Sequence, residues 1–431
     1  MCIKLDYLFI LLKNILYVGT IYDIKNELPC LKNPISLLID DWSVGYIGEG
    51  KGTIEDTKFE KCYEFAKDLV KLCALGVRGK LTLLPYVTKP EGDTYRVLGR
   101  IDEGIEGIPS QKLLEVLSLV KGELMKYFDI TPEILTHTLA LDIETGTLIN
   151  ESEWEWSNKQ DLKTLTKYIA HGLRILKNVG IVASGITCPC DFGKEVEGIL
   201  AKAVLDAEKI VNNITLTWYF LHVQSKRIGW DGSSVNPRLM YLNEENKEAV
   251  VSIISGSAEY INQKTIDSIG PDPYRLADQW ITVDGEKGRL AELLKNKAYI
   301  IFHIHWYNSH GRDNKVGFLA LKELTSRIRN VWADKVLWMK CSEVARYFAA
   351  SKTWRTSVAG DKIILSSPFD CPLFTISFAT NKEVKCIKVD GKKLKKKEKP
   401  PLEKYSWTLL EDRVYACFKL SERTIVDITF K

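Results

Sequence analysis

The chain has 431 residues, enough for one large domain and a smaller companion, and 45% hydrophobic residues is ample for a buried core. Sixty Lys and Arg against 56 Asp and Glu leave a formal net charge of +4, too slight for the dense basic face of a nucleic-acid binder. The ten cysteines show no repeated zinc-finger spacing and form one close pair, Cys188-Pro189-Cys190, so the expectation is free, reduced thiols in a cytoplasmic protein.

Residues 8–12 are apolar, but Lys13 and Asn14 interrupt them and Asp6 precedes them. That is a poor signal peptide and too short for a membrane span, so a packed helix or strand is expected, and no membrane partner. Ile35-Ser36-Leu37-Leu38-Ile39 then reads as a buried strand ending in Asp40 and Asp41. Unpaired buried carboxylates are costly. A metal ion, or a division into one ligand and one general base, offsets that cost. A solvated helix cap would explain the same pair.

A glycine-rich loop at 45–52 leads to an amphipathic helix over 55–75, with Phe59, Cys62, Phe65, Ala66, Leu69, Leu72 and Cys73 at helical spacing and Gly76 closing it. Residues 80–86 form a second buried strand, which completes a βαβ unit and implies parallel pairing. Further helices are expected over 111–128, 159–177, 195–211, 288–295, 316–331 and 342–350. Further strands are expected over 181–186, 215–223, 249–254, 298–304 and 335–339. Seven or eight strands alternating with helices argue an α/β fold of the (β/α) barrel kind, with the site at the carboxyl ends of the strands.

After about residue 352 short strands follow at 361–365, 373–378, 384–389, 414–420 and 424–430, with a hairpin signal at Asp390-Gly391, which suggests a C-terminal all-β sandwich-like domain. The lysine-rich run 392–399 reads as a solvated hairpin arm. The expected division is an N-terminal extension (1–32), the barrel (33–351) and the sandwich (352–431).

Six histidines are present. His303 and His305 flank Ile304 on a strand and share one face. His222 follows Tyr219-Phe220-Leu221 within the apolar strand 215–223, and His137 lies in Leu135-Thr136-His137-Thr138-Leu139. Asp40, Asp41, Asp191, His303 and His305 all fall at strand ends. Trp42, Asp191, His222, His303 and Trp306 are the candidate substrate-binding residues.

The arrangement resembles the polysaccharide deacetylase (NodB-homology) superfamily over about residues 33–350. The matching stretches are Leu38-Ile39-Asp40-Asp41, the turn Leu75-Gly76-Val77-Arg78-Gly79-Lys80, His137-Thr138, the proline-bearing loop 187–193 and the strand end Phe302-His303-Ile304-His305. The resemblance implies an irregular (β/α) barrel that removes an acyl group from a carbohydrate amide or ester. It implies a divalent metal (Zn, Mn, Ni or Co) held by Asp41 and His137, with Asp40 as general base and His305 as general acid. The second histidine of the family's pair would fall at Leu141, and the arginine of its third motif is missing before Cys188-Pro189. Either Asp142, Asp191 or His303 would then complete an altered site, or metal affinity is lost.

Two other readings compete. A glycoside hydrolase would use paired carboxylates, Asp41 and Asp191 or one of Glu151, Glu153 and Glu155. A non-catalytic glycan binder would stack sugars on Trp42, Trp154, Trp156, Trp218 and Trp306.

Overall fold

The computed structural model describes residues 20–45, 59–224, 235–310 and 315–431. The apolar stretch at 8–12, most of the glycine-rich loop and residues 55–58 of the first expected helix lie outside them. The chain divides into two compact units. One is Asn33–Phe348; the other joins Ala349–Lys431 to the described part of the first 32 residues.

The first unit is built on strands separated by helices. In chain order they are β1 (Asn33–Asp40), α1 (Phe59–Cys73), β2 (Gly79–Thr82), α2 (Ser110–Gly122), β3 (Phe128–Thr131), α3 (Leu162–Asn178), β4 (Gly185–Thr187), α4 (Glu197–Asn212), β5 (Leu216–Val223), β6 (Glu248–Ser255), α5 (Arg289–Lys295), β7 (Ile300–His305), α6 (Val316–Trp332) and β8 (Val336–Trp338). Every residue of β1 is buried, as its apolar run requires, and α1 buries Cys62, Phe65, Ala66, Leu69 and Leu72 along one stripe.

These strands do not form one continuous closed sheet. β7-β1-β2-β3 is one parallel set, with β8 also paired to β1. β4-β5-β6 is a second parallel set, edged by the antiparallel strand Arg238–Asn243. Few bonds cross the seams. At one, Thr187 N–H donates to Pro132 O (2.9 Å) and Ile134 N–H to Thr187 O (3.3 Å); at the other, Gly256 N–H donates to Ile301 O (2.7 Å). Pro132 has no N–H with which to extend β3, and β4 is only three residues long, so the ladder stops there.

Parallel register sets the carboxyl ends level. His305 at the end of β7 pairs directly with Asp40 at the end of β1. The close approach of β2 to β1 depends on Gly79, where a Cβ would lie 1.7 Å from Leu37 O.

The structure adds elements that local pattern concealed. β3 follows α2 after only a short 3-10 turn, Leu124–Lys126; the expected helix over 111–128 ran through that turn to the first residue of β3, and the rest of the strand was not expected. The second strand stops at Thr82 rather than 86, and Tyr86–Glu91 turns back in a hairpin with Thr94–Arg100. A second hairpin pairs Leu139–Asp142 with Thr147–Ser152.

In the other unit, the described residues form two five-stranded sheets. One contains Ile21–Asn26, Cys371–Thr380, Arg413–Leu420, Ser406–Leu410 and Lys395–Lys396; the other contains Arg355–Ala359, Lys362–Ser366, Arg423–Phe430, Val384–Val389 and Lys392–Lys393. Alternate residues of Lys362–Ser366 and Arg423–Phe430 are buried, the pattern of strands with one covered face. The lysine-rich run supplies two edge strands, where charged side chains discourage further strand addition.

Candidate active site

The carboxyl ends of β1, β2, β3 and β7 gather a set of ionisable side chains. Asp40 closes β1 and is nearly buried. Its Oδ1 is paired with the ammonium of Lys80, a fully buried β2 side chain that also donates to Thr187 Oγ1 at 2.9 Å and lies 4.9 Å from the centre of the Phe220 ring. Thr187 Oγ1 is in turn 3.0 Å from Thr131 Oγ1. A cation from the neighbouring strand therefore fixes the first carboxylate.

Asp41 turns out of the strand with φ +62°, and its backbone N–H donates to Glu133 Oε2 at 2.7 Å. Its side chain is 1% exposed, and neither carboxylate oxygen has a hydrogen-bond partner among the described residues. Oδ1 lies 3.0 Å from His137 Nε2 without hydrogen-bond alignment, and Oδ2 lies 3.8 Å from His305 Nε2. Glu133 Oε1 is 3.6 Å from His137 Nε2. One ligand atom from each of Asp41, Glu133 and His137 falls within 4.8 Å of the others, a spacing that suits a shared cation.

The loop after β3 is held from beneath. His137 also has φ +62°, and its N–H donates to Oε2 of the fully buried Glu153 at 2.9 Å. Oε1 of Glu153 accepts Leu135 N–H (2.9 Å) and the Tyr168 hydroxyl (2.7 Å).

On β7, His305 is held twice by Glu259. Its Nδ1 lies 2.6 Å from Oε2 and its backbone N–H donates to Oε1 at 2.8 Å, which leaves Nε2 facing Asp41. The ring stacks on Tyr307 at 5.3 Å. His303 lies 5.7 Å from His305, ring to ring, with its Nδ1 3.1 Å from Ser255 Oγ.

The charges are strongly coupled. Burial pushes the Asp41 carboxyl up, but the cationic rings of His137 and His305 outweigh it and hold it well below the usual range. Burial, reinforced by the Asp41 charge, pushes Glu133 up to about 8. Burial opposes the charge of His137, yet Asp41 raises it well above an ordinary imidazole. Burial also opposes the charge of His305, but Asp41 and Glu259 raise it to about 10. Burial would raise Glu259, and the bond to His305 lowers it on balance.

Other residues singled out in the sequence lie in different surroundings. Asp191 is exposed and pairs with Lys194 at 3.1 Å. His222 Nε2 lies 2.8 Å from Glu197 Oε1, which also accepts the Tyr219 hydroxyl. Trp42 and Trp306 are fully buried and present no ring face to a ligand. Trp42 donates its indole N–H to Cys62 O, and Trp306 packs against Phe65. Trp218 is also fully buried. Leu141 sits in the core, and Asp142 caps its own hairpin turn by accepting Glu144 N–H at 2.9 Å. The carboxylate that joins Asp41 and His137 is Glu133, four residues before the histidine rather than four after it. The stretch Glu133-Ile134-Leu135-Thr136-His137 carries that spacing in the reverse direction.

No family model and no curated protein matches the chain. Among solved structures, a candidate glycoside hydrolase/deacetylase from Parabacteroides distasonis is similar over 82% of each chain, at 11% identity and a TM-score of 0.44. An endo-β-1,4-glucanase of glycoside hydrolase family 5 from Bacillus licheniformis, in complex with cellotetraose, covers 93% of this chain and 78% of its own, at 9% identity and a TM-score of 0.32. A family 30 xylanase from Clostridium acetobutylicum covers 94% and 97%, at 10% identity and a TM-score of 0.27. With likenesses this distant, function has to be argued from the chain's own side chains.

Proposed function

We propose that the chain is a metal-dependent hydrolase that removes an acyl group from an amide or ester of a carbohydrate. The observation that carries the metal site is Asp41: a fully buried carboxylate, both oxygens without hydrogen-bond partners among the described residues, turned toward His137 and Glu133. Without a metal the charge of Asp41 is balanced by the protonated His137 and His305; a bound divalent ion would take the place of the His137 proton and leave that nitrogen free as a ligand. Asp41, Glu133 and His137 offer two oxygens and one nitrogen, a donor set that fits a divalent ion with positions left for water and substrate. Such an ion supplies Lewis-acid polarisation of a carbonyl and makes a water more acidic.

The chain's own residues supply the proton transfers. Asp40, fixed by Lys80, accepts a proton from the attacking water. His305 is oriented through Nδ1 by Glu259, which leaves Nε2 facing Asp41 and able to protonate the departing amine or alcohol. The frame supports this reading in that the site lies at the carboxyl ends of parallel strands alternating with helices. The carbohydrate substrate rests on the sequence resemblance.

The test is elemental analysis of the purified protein beside its Asp41→Asn and His137→Ala variants, with acetate release measured on N- and O-acetylated sugars. The expected result is a near-stoichiometric divalent metal, lost in both variants, and acetate release that follows the metal. A wild-type protein without metal after supplementation with zinc, manganese and nickel would overturn the proposal.

A further inference from the structure

We infer that Glu133 biases this site away from zinc and toward manganese(II). The inference rests on the metal-site reading above and concerns which ion the donor set selects.

The donors are two carboxylates and one imidazole. Both carboxylates offer an oxygen at the site, and with a divalent ion bound the pair would supply two negative charges to balance it. Glu133 already uses Oε2 to accept the Asp41 N–H, so it offers the cation a single oxygen, Oε1, from a fixed position. The backbone at Glu133 is itself held by its bridge to Thr187, and the side chain is 2% exposed. Carboxylates suit the harder ions magnesium, calcium and manganese, whereas imidazoles suit zinc, copper, iron and nickel. Magnesium binds through oxygen and gives up water reluctantly, so a buried set that includes His137 suits it poorly. Manganese(II) accepts both donor types. Zinc keeps its intrinsically higher affinity for nitrogen and oxygen sites, and the effect of Glu133 is to narrow that advantage.

The experiment strips the full-length protein with a chelator and titrates it with manganese(II) chloride, reading free manganese by electron paramagnetic resonance. Zinc chloride is then added in competition. Wild type is compared with Glu133→His and Glu133→Gln, each checked for folding by circular dichroism. The expected result is one manganese per wild-type chain and a zinc-over-manganese preference that rises about tenfold or more in Glu133→His. Glu133→Gln should lose more manganese affinity than zinc affinity.

A preference in Glu133→His within about twofold of wild type overturns the inference. If Glu133→His does not fold, equal losses for the two ions in Glu133→Gln overturn it instead. Wild type that binds neither ion brings down the hydrolase reading as well. Binding of both ions with no dependence on residue 133 removes only the selectivity.

Discussion

The backbone N–H of His137 donates to Oε2 of Glu153 at 2.9 Å, so a carboxylate with no exposed surface aims the imidazole that faces Asp41. The other oxygen of Glu153 takes Leu135 N–H and the Tyr168 hydroxyl. Glu153→Ala leaves these buried donors without an acceptor, each costing about 1–3 kcal/mol. The expected loss, read by urea unfolding, is about 3 kcal/mol or more. Glu153→Gln retains an acceptor oxygen and should lose less. Metal affinity should fall about 10–100-fold in Glu153→Ala, because the ligand loses its orientation.

Lys80→Met leaves Asp40 buried without its cation. Removing one member of such a pair costs about 3–5 kcal/mol, and the variant should be destabilised on that scale. The double variant Lys80→Met/Asp40→Asn removes both charges and should recover part of the loss. Unfolding free energies of the four proteins form a cycle, and purely additive losses would show that the ion pair is not what Lys80 supplies.

The His305–Glu259 pair makes stability depend on pH in a defined direction. The folded-state value of His305, about 10, lies above its usual 6.5. Its contribution is therefore complete below pH 6.5 and is lost as pH rises through about 10. Glu259 is held below its usual 4.5, so its share is present above pH 4.5 and is lost as pH falls below that. In metal-free protein, stability should decline between pH 6.5 and about 10, with His305 contributing at most about 1.4 kcal/mol per pH unit. Glu259→Gln should flatten that decline, which thermal melts across the range would reveal.

Gly79→Ala tests the contact between the first two strands. A Cβ at that position would meet Leu37 O at 1.7 Å and Leu37 N at 2.8 Å, both backbone atoms that cannot swing away. The expected cost is about 3 kcal/mol or more, with loss of metal binding as β2 and Lys80 shift. Gly198→Ala, on an open face of α4, should be neutral or slightly stabilising and serves as the control.

Some of the site was legible in the sequence. Asp40 and Asp41 stand out because an apolar strand ends on them, and His303 and His305 share a face because strand side chains alternate. Glu133 and Glu259 give no such signal, and although Glu153 is a candidate catalytic carboxylate and Lys80 ends a matching turn, nothing in the sequence points to the roles they take here. Each is an ordinary charged residue in its own segment, and its importance arises only on folding, as when Glu133 meets Asp41 from 92 residues away. The same limit applies to architecture. Periodicity carried the preceding helix through to Phe128 and left the rest of β3 unassigned, and the ring closure expected from strand alternation ignored the break at Pro132. Burial of Trp42, Trp218 and Trp306 was equally out of reach, since an aromatic beside a motif reads the same whether it lines a cleft or fills a core.

The left-handed backbone at Asp41 and His137 has a consequence for how this lineage can change. Aspartate, asparagine, histidine and glycine tolerate that conformation, whereas β-branched and bulky side chains resist it. Drift at either position is thus channelled toward a few residues. Asparagine or glycine at 41 would cancel the chemistry and keep the turn, while glutamate would keep the charge and strain the turn. Catalysis and architecture can therefore part company by a single exchange, and a descendant that had abandoned hydrolysis would show asparagine or glycine here on an otherwise unaltered frame.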